Sequence, residues 1–372
     1  MATDSSARPA SPFMTRALHL AREALGGVSP NPAVGAVLVK DGRVGGEGHT
    51  HPPGQRHAEI AALDEAGAQA RGADLYVTLE PCAHYGRTPP CADALIAAGV
   101  AAVHAALIDP DPRTAGKGAE RLRAAGVAVS IGDGQEEARE VVEAFDKHVR
   151  TGRPFITAKF AMSLDGKIAS RTGDSRWISN VASRREAHRL RAESDAVMIG
   201  VGTALADDPL LTVRDAPLKN GRQPLRVVVD SAARLPPAAA MLGQPGRTIV
   251  ATAAATAERC AALESYGAEV IDAPGADGRV DLPALLALLG ERGVTSVLAE
   301  GGAALLGALL DGGLVDKVCA FVAPVLIGGA DAPSPMAGRG VGAIAEALRL
   351  ERVRSVHLDG DIMVIGYPAA GA

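Results

Sequence analysis

Aromatic residues make up only 3% of the 372-residue chain, which leaves few stacking platforms for single-stranded nucleic acid. Positive charge is not in excess either. Lys and Arg total 38 against 43 Asp and Glu, a formal net charge of −5. A protein that clamps long nucleic acid is normally basic, so a small-molecule substrate is expected, with room for a local basic pocket around a phosphate. No apolar run reaches the roughly 18 residues of a membrane span. The N-terminal MATDSSARPASPF has neither the apolar centre of a secretion signal nor an Arg-rich amphipathic transit pattern. The expectation is a cytoplasmic protein without membrane or nucleic-acid partners. Cysteine is scarce: Cys82, Cys91, Cys260 and Cys319, thiols in a reducing compartment rather than a disulfide framework. Cys260 and Cys319 lie in apolar helix-like and strand-like stretches and read as core residues. Cys82 and Cys91 stand among Pro, His and Gly, where metal binding is to be considered.

What is present is a hydrophobic content of 47% and a length suited to two or three domains. Helical spacing marks 13–26, 57–68, 91–99, 118–126 and 135–150. Strand-like runs fall at 73–81, 100–108 and 127–131, and an Asp41-Gly42 turn joins two more into a hairpin. Thr151-Gly152-Arg153-Pro154 is a breaker cluster. A second α/β series follows, with strands at 155–169, 195–200, 225–230, 248–252, 316–328 and 361–368. Helices are expected at 183–194, 258–267 and 282–293, and residues 295–313 read as strand, tight turn and helix. Helices alternating with single strands predict a three-layer α/β/α sandwich over 1–150, ordered from about residue 12, and a further α/β domain over 151–372.

Chemistry concentrates in two segments of the first half. His57-Ala58-Glu59 opens a helix, and PCAHYGRTPPC (81–91) lies between a strand and a helix. A catalytic zinc site takes three protein ligands and keeps one position open for water. His57, Cys82 and Cys91 supply one nitrogen and two thiolates. Cys91 begins a helix, where the macrodipole and free N–H groups favour a thiolate. Glu59, two residues after the ligand, is placed to take a proton from the water and pass it to leaving ammonia. A structural zinc would want a fourth ligand, for which His84 and His104 are the candidates.

This constellation resembles the cytidine-deaminase-like family, whose signature is His-x-Glu followed by Pro-Cys-x-x-Cys. Eight residues rather than two separate the cysteines here, so simple cytidine or tRNA deaminases fit poorly. PNPAVGAVLV, HAE and TLEPCAHYGRTPPC together resemble the pyrimidine deaminases of riboflavin biosynthesis, over about residues 12–150. The resemblance implies one zinc per chain. The implied substrate is 2,5-diamino-6-(5-phosphoribosylamino)pyrimidin-4(3H)-one, which loses its 2-amino group, with Asn31, His84 and Arg87 near it. At Thr50, flanked by His49 and His51, that family often carries His.

The second half has its own groupings. AKFAMSLDGKIA sets Lys159, Ser163 and Asp165 around a strand end. GDSRWIS puts Ser175 and the single tryptophan, Trp177, in a polar loop. GVGTALADDPLLTVR follows a strand but lacks the third glycine of a Rossmann fingerprint. LAEGGAALLGALL is a strand, a Glu-Gly-Gly turn and a helix start, a setting that suits phosphate. These groupings resemble the C-terminal reductase domain of the same bifunctional family. The resemblance implies a dihydrofolate-reductase-like fold and hydride transfer from NADPH to the ribosyl C1′ of 5-amino-6-(5-phosphoribosylamino)uracil, opening the sugar to ribityl. It places Ala161, Trp177, Thr203, Gly301 and Gly302 near NADPH. Ser175, Arg191, Asp207, Leu210, Arg214 and Glu300 fall near the ribose phosphate, and Lys159 at the ribose or the cofactor. Arg forks suit a phosphate monoester. Self-association as a dimer or tetramer is implied by the same resemblance.

Three rival readings stand beside this one. A nucleic-acid base deaminase with a binding domain conflicts with the charge, the scarcity of aromatics and the long Cys–Cys loop. A binding protein with structural zinc would not need Glu59. A chain with one live half and one relict half is opposed, in the deaminase half, by the presence of Glu59 with all three ligands.

Overall fold

The computed structural model describes residues 9–86 and 89–369, which divide into two compact units, Met1–Gly152 and Arg153–Ala372. The first unit contains α1 (Pro12–Ala24), β1 (Gly35–Lys40), β2 (Arg43–His49), α2 (Ala58–Ala66) and β3 (Asp74–Val77). It continues with α3 (Cys91–Ala98), β4 (Ala102–Ala105), α4 (Lys117–Ala124), β5 (Ala128–Ile131) and α5 (Gln135–Thr151). Its sheet runs β2-β1-β3-β4-β5, with β1 antiparallel to both neighbours and β3, β4 and β5 parallel. Asp41 and Gly42 turn the hairpin with φ of 50° and 74°, the left-handed pair that tight two-residue hairpins require.

Helices cover both faces of this sheet, and glycine lets them come close. A Cβ on Gly35 would lie 1.9 Å from the carbonyl oxygen of Ala17 in α1, and one on Gly48 would lie 2.4 Å from that of Ala58 in α2. Gly48 pairs with Ala36, the neighbour of Gly35, so the two contacts fall on opposite faces. The result is three layers around a core of Val37, Leu38, Leu75, Val103 and Leu122. The Gly48 contact brings down the first turn of α2, which carries Glu59.

The second unit contains β6 (Phe155–Ser163), α6 (Val181–Glu193), β7 (Ala196–Gly200), α7 (Val201–Asp207), β8 (Leu225–Val229), β9 (Thr248–Thr252) and α8 (Ala257–Ser265). After these come β10 (Ala268–Asp272), α9 (Leu282–Glu291), β11 (Ser296–Glu300), α10 (Ala303–Asp311), β12 (Lys317–Ala323), β13 (Leu350–Leu358) and β14 (Asp361–Pro368). The strand order is β10-β9-β8-β7-β11-β6-β12-β14-β13. It is parallel as far as β12, and β14 and β13 then add antiparallel pairs. Parallel strands are buried on both faces. Accordingly Ala196 and Met198 join the core with Leu285, Leu286 and Leu289 of α9, while Val197 and Ile199 join Val228, Val250 and Met241 on the other side.

Three elements depart from the sequence expectation. The short helix α7 begins directly after β7, in a stretch given no element. The strand β10 starts two residues after Tyr266, the C-cap of α8, in a stretch given no element. The strand β13 is exposed along nearly its whole length. Its pairing with β14 shifts register between Glu351 and Arg354, and this bulge breaks the apolar–polar alternation that would have announced it. Cys319 is buried, whereas Cys260 is only partly covered, so the core reading fails for Cys260, which sits on α8, where Leu263 is the one buried residue. Among the described residues, no helix is long and apolar enough to cross a membrane.

Candidate active site

In the first unit, β3 delivers the chain through Thr78 to Cys82. Thr78 is buried and its hydroxyl accepts the Gly35 N–H at 3.1 Å, which ties this segment to β1. Cys91 is the first residue of α3, and its N–H points at the Cys82 sulfur at 3.3 Å. His57 is the N-cap of α2. Its Nδ1 lies 3.7 Å from Cys82 Sγ and 3.3 Å from Cys91 Sγ. One ligand atom from each of the three falls within 4.8 Å of the others. One imidazole nitrogen and two thiols converging this closely fit a zinc ion. Neither His84 nor His104 joins the group. His104 bonds Ser130 at 2.6 Å instead, and His84 Nδ1 faces the Thr114 hydroxyl at 3.1 Å.

The electrostatics match such a site. The Cys91 thiol, with the His57 ring and the Cys91 N–H, holds Cys82 down to about 4 against the pull of burial. Cys91 is pushed up by Cys82 and by burial, so without a cation one sulfur keeps its proton. A divalent ion reverses that, because a coordinated thiol is deprotonated. His57 is raised by its bond to Cys82. Burial, then the Cys82 charge, lifts the Glu59 carboxyl to about 7.

A cavity of about 450 Å³ opens over these groups, and His57, Glu59 and Cys82 line it together with Asn31 and His84. Arg87 lies outside the described residues. Thr50 also lines the cavity; it is 3% exposed and its hydroxyl accepts the Val34 N–H at 3.1 Å. Its neighbours His49 and His51 stack on each other, with ring centroids 5.1 Å apart. Sequence reasoning passed over Glu80, Asp109, Asp111 and Arg113, the other charged side chains of the lining. The signal was available in Asp-Pro-Asp-Pro at 109–112, polar turn residues directly after a strand. Burial pushes the Asp109 carboxyl up to about 7.

In the second unit, the register of β6 and β11 sets Lys159 opposite Glu300. Glu300 is 7% exposed. It takes the Arg191 guanidinium of α6 on both oxygens, one bond measuring 2.8 Å, and Lys159 Nζ lies 3.7 Å away. Burial works against the Glu300 carboxylate, yet Arg191 and Lys159 outweigh it and hold the group at about 2. Burial lowers Lys159 below the usual lysine range. Arg191 also reaches the Thr212 carbonyl at 3.2 Å, and Arg214 donates to the Thr212 hydroxyl at 3.0 Å. Arg191 is thus engaged inside the protein, whereas Arg214 is exposed.

Directly after Glu300, Gly301 and Gly302 have φ of 74° and 79° and lead into α10. A Cβ on Gly302 would sit 3.0 Å from Thr203 Oγ1. That cradle, at a helix N-terminus with open N–H groups, fits the phosphate part of a nicotinamide cofactor. Trp177 is 70% exposed and stacks under the Arg184 guanidinium at 4.6 Å. Ser175 is partly buried in the same loop. Arg176 ties this loop to the Asp207 carbonyl at the end of α7 at 2.6 Å. Leu210 is partly buried just beyond α7, and Ala161 lies on β6, paired with Phe321 of β12.

Comparison with known proteins agrees with this division. Residues 8–107 match the zinc-binding region of cytidine and deoxycytidylate deaminases. Residues 154–364 match the RibD C-terminal domain. The fold and the two matches define a bifunctional enzyme, a zinc-binding deaminase unit of cytidine-deaminase-like fold joined to a dihydrofolate-reductase-like reductase unit. The chain is 42% identical to the riboflavin biosynthesis protein RibD of Escherichia coli K12, over 95% of this chain and 98% of that protein. With RibD of Aquifex aeolicus it shares 40% identity over 95% and 96%. The solved structure of Acinetobacter baumannii RibD superposes with a TM-score of 0.84 at 39% identity, covering 96% of this chain and 98% of that one. A Thermotoga maritima diaminohydroxyphosphoribosylaminopyrimidine deaminase/5-amino-6-(5-phosphoribosylamino)uracil reductase gives 0.82 at 36% identity, with coverage of 96% and 98%. The chain belongs to the RibD family of riboflavin biosynthesis proteins.

Proposed function

We propose that the chain carries out two successive steps on one pyrimidine ribotide. The first unit hydrolytically deaminates 2,5-diamino-6-(5-phosphoribosylamino)pyrimidin-4(3H)-one. The second uses NADPH to reduce the ribosyl group of the product, 5-amino-6-(5-phosphoribosylamino)uracil, to ribityl. The observation that carries this reading is the approach of His57, Cys82 and Cys91 within 4.8 Å on a cavity that Glu59 also lines.

For the first step His57, Cys82 and Cys91 would hold zinc, which would bring the ionisation of water near neutrality. Glu59 takes the proton of the attacking water on a carboxylate oxygen and returns it to the departing amine as the C2–N bond breaks. Asn31 and His84 orient the pyrimidine beside it, and the family resemblance assigns Arg87 to the same substrate. In the second step Ala161, Trp177, Thr203, Gly301 and Gly302 take the cofactor, which supplies the hydride. Ser175, Asp207, Leu210 and Arg214 take the ribose phosphate, and Arg214 is favoured for the charge because it is exposed while Arg191 is engaged by Glu300. Lys159, Arg191 and Glu300 present a buried charged cluster to the ribosyl end. The choice of NADPH over NADH and a homo-oligomeric state rest on the family resemblance.

Mass spectrometry of the product from the diaminopyrimidine ribotide, with and without NADPH, tests the proposal. Without NADPH an amine-for-carbonyl exchange and released ammonia are expected, and with it a further gain of two hydrogens. Reduction of the undeaminated substrate, or no ammonia from zinc-loaded protein, would overturn it.

A further inference from the structure

Glu80 stands two residues before Cys82 and is 3% exposed. Its oxygens take backbone N–H groups from a segment far along the chain. Oε2 accepts from Asp109 at 3.2 Å and from Gly116 at 2.8 Å, and Oε1 accepts from Ala119 at 2.9 Å. Gly116 is the N-cap of α4 and Ala119 lies in its first turn, so the carboxylate also meets the positive end of that helix. The contact leaves no slack: a Cβ on Gly118 would fall 1.9 Å from the Pro81 carbonyl oxygen.

The segment pinned this way faces the cavity. Between its two attachment points, Asp109 Oδ1 accepts the Asp111 N–H at 2.8 Å, and Asp111 Oδ1 accepts the Arg113 N–H at 2.9 Å. The next residue, Thr114, faces His84 Nδ1 at 3.1 Å. Asp109, Asp111, Arg113 and His84 all line the cavity. Asp109, Asp111 and Arg113 therefore hang from a stretch of backbone held at its start and its end by one side chain, with His84 touching that stretch at Thr114, and the clamping side chain is joined through Pro81 to a metal ligand.

We propose that Glu80 is a positioning residue that sets the substrate-facing wall of the deaminase cavity in register with His57, Cys82 and Cys91. This rests on the deaminase reading of the cavity. Glu80→Gln keeps the volume and one acceptor oxygen but turns an NH2 against backbone donors. In the full-length, zinc-loaded protein it raises the KM for the diaminopyrimidine ribotide tenfold or more, with a smaller change in kcat. Zinc content and NADPH-dependent reduction of the deaminated product stay at the level of the unmodified protein. Amide hydrogen exchange quickens across 109–119 and is unchanged around His57 and Cys91. Glu80→Asp, which keeps the charge and shortens the reach, gives the same pattern at smaller amplitude, and decides the matter if the Gln variant does not fold. An unchanged KM with unchanged protection of 109–119 overturns the proposal. So does a loss of zinc in step with activity, or a fall confined to kcat. Failure of the unmodified protein to release ammonia would instead refute the deaminase reading, and the exchange measurement would still report on the clamp.

Discussion

Replacing Glu300 by Gln removes the carboxylate that balances two buried cations, Arg191 and Lys159, in the reductase unit. Glu300 holds both nitrogens of the Arg191 fork and lies 3.7 Å from Lys159 Nζ. Its carboxyl is held at about 2 instead of the ordinary 4.5, a preference for the folded state of roughly 3 kcal/mol at about 1.4 kcal/mol per tenfold change. Breaking a buried pair costs about 3–5 kcal/mol, because it strands the partner charge. Burial of Lys159, which lowers that ammonium below its usual range, offsets part of the gain and points to the lower end. Once Glu300 is gone Lys159 can shed its proton, but Arg191 cannot, so Arg191 is the stranded charge. A loss of about 3 kcal/mol lowers the Tm of a unit of this size by roughly 6–12 °C, read by scanning calorimetry at neutral pH. The sign with pH follows from a depressed carboxyl: the contribution is fully present above about 4.5 and is lost as the pH falls toward about 2. The difference in Tm between the two proteins should therefore be constant from pH 7 to 5 and shrink below that. Pairing Arg191→Met with Glu300→Leu should recover part of the loss. A Glu300→Gln protein that melts with the unmodified one would refute the reasoning.

Other expectations follow from the same geometry. Glu59→Gln should cut ammonia release by about 10²–10⁴-fold while zinc content and reductase turnover hold, checked by coupled ammonia assay and elemental analysis. Gly48→Ala drives a Cβ to 2.4 Å from the Ala58 carbonyl and should destabilise the deaminase unit by about 1–3 kcal/mol, measured by urea unfolding, with weaker zinc retention because His57 caps α2 and Glu59 lies in its first turn. Gly302→Ala combines a φ of 79° with a Cβ 3.0 Å from Thr203 Oγ1, and should raise the KM for NADPH about tenfold or more while leaving deamination intact; an unchanged KM would remove the glycine pair from the cofactor site.

Much of this was legible in the sequence because the decisive signals are local. Asp41-Gly42 between apolar runs is a hairpin whatever surrounds it, and His-x-Glu at a helix start with Pro-Cys before a second helix start carries its chemistry in the residue types. What escaped depends on tertiary partners. Asp109, Asp111 and Arg113 look like turn residues until α4 and Glu80 hold them against the cavity. The grip of Glu300 on Arg191 comes from strand register and helix packing, so the sequence offered Arg191 only as a phosphate ligand. The strand β13 was hidden by its exposure and by the bulge at Arg352, whose φ is 49°.

X-ray absorption at the zinc edge of the purified full-length protein tests the metal centre most directly. The account predicts two sulfur ligands near about 2.3 Å and one imidazole nitrogen at about 2.0–2.1 Å, with one further light atom from solvent, and loss of a sulfur shell on Cys91→Ser. A shell completed by a fourth protein ligand, or metal-free protein that still releases ammonia, would contradict it.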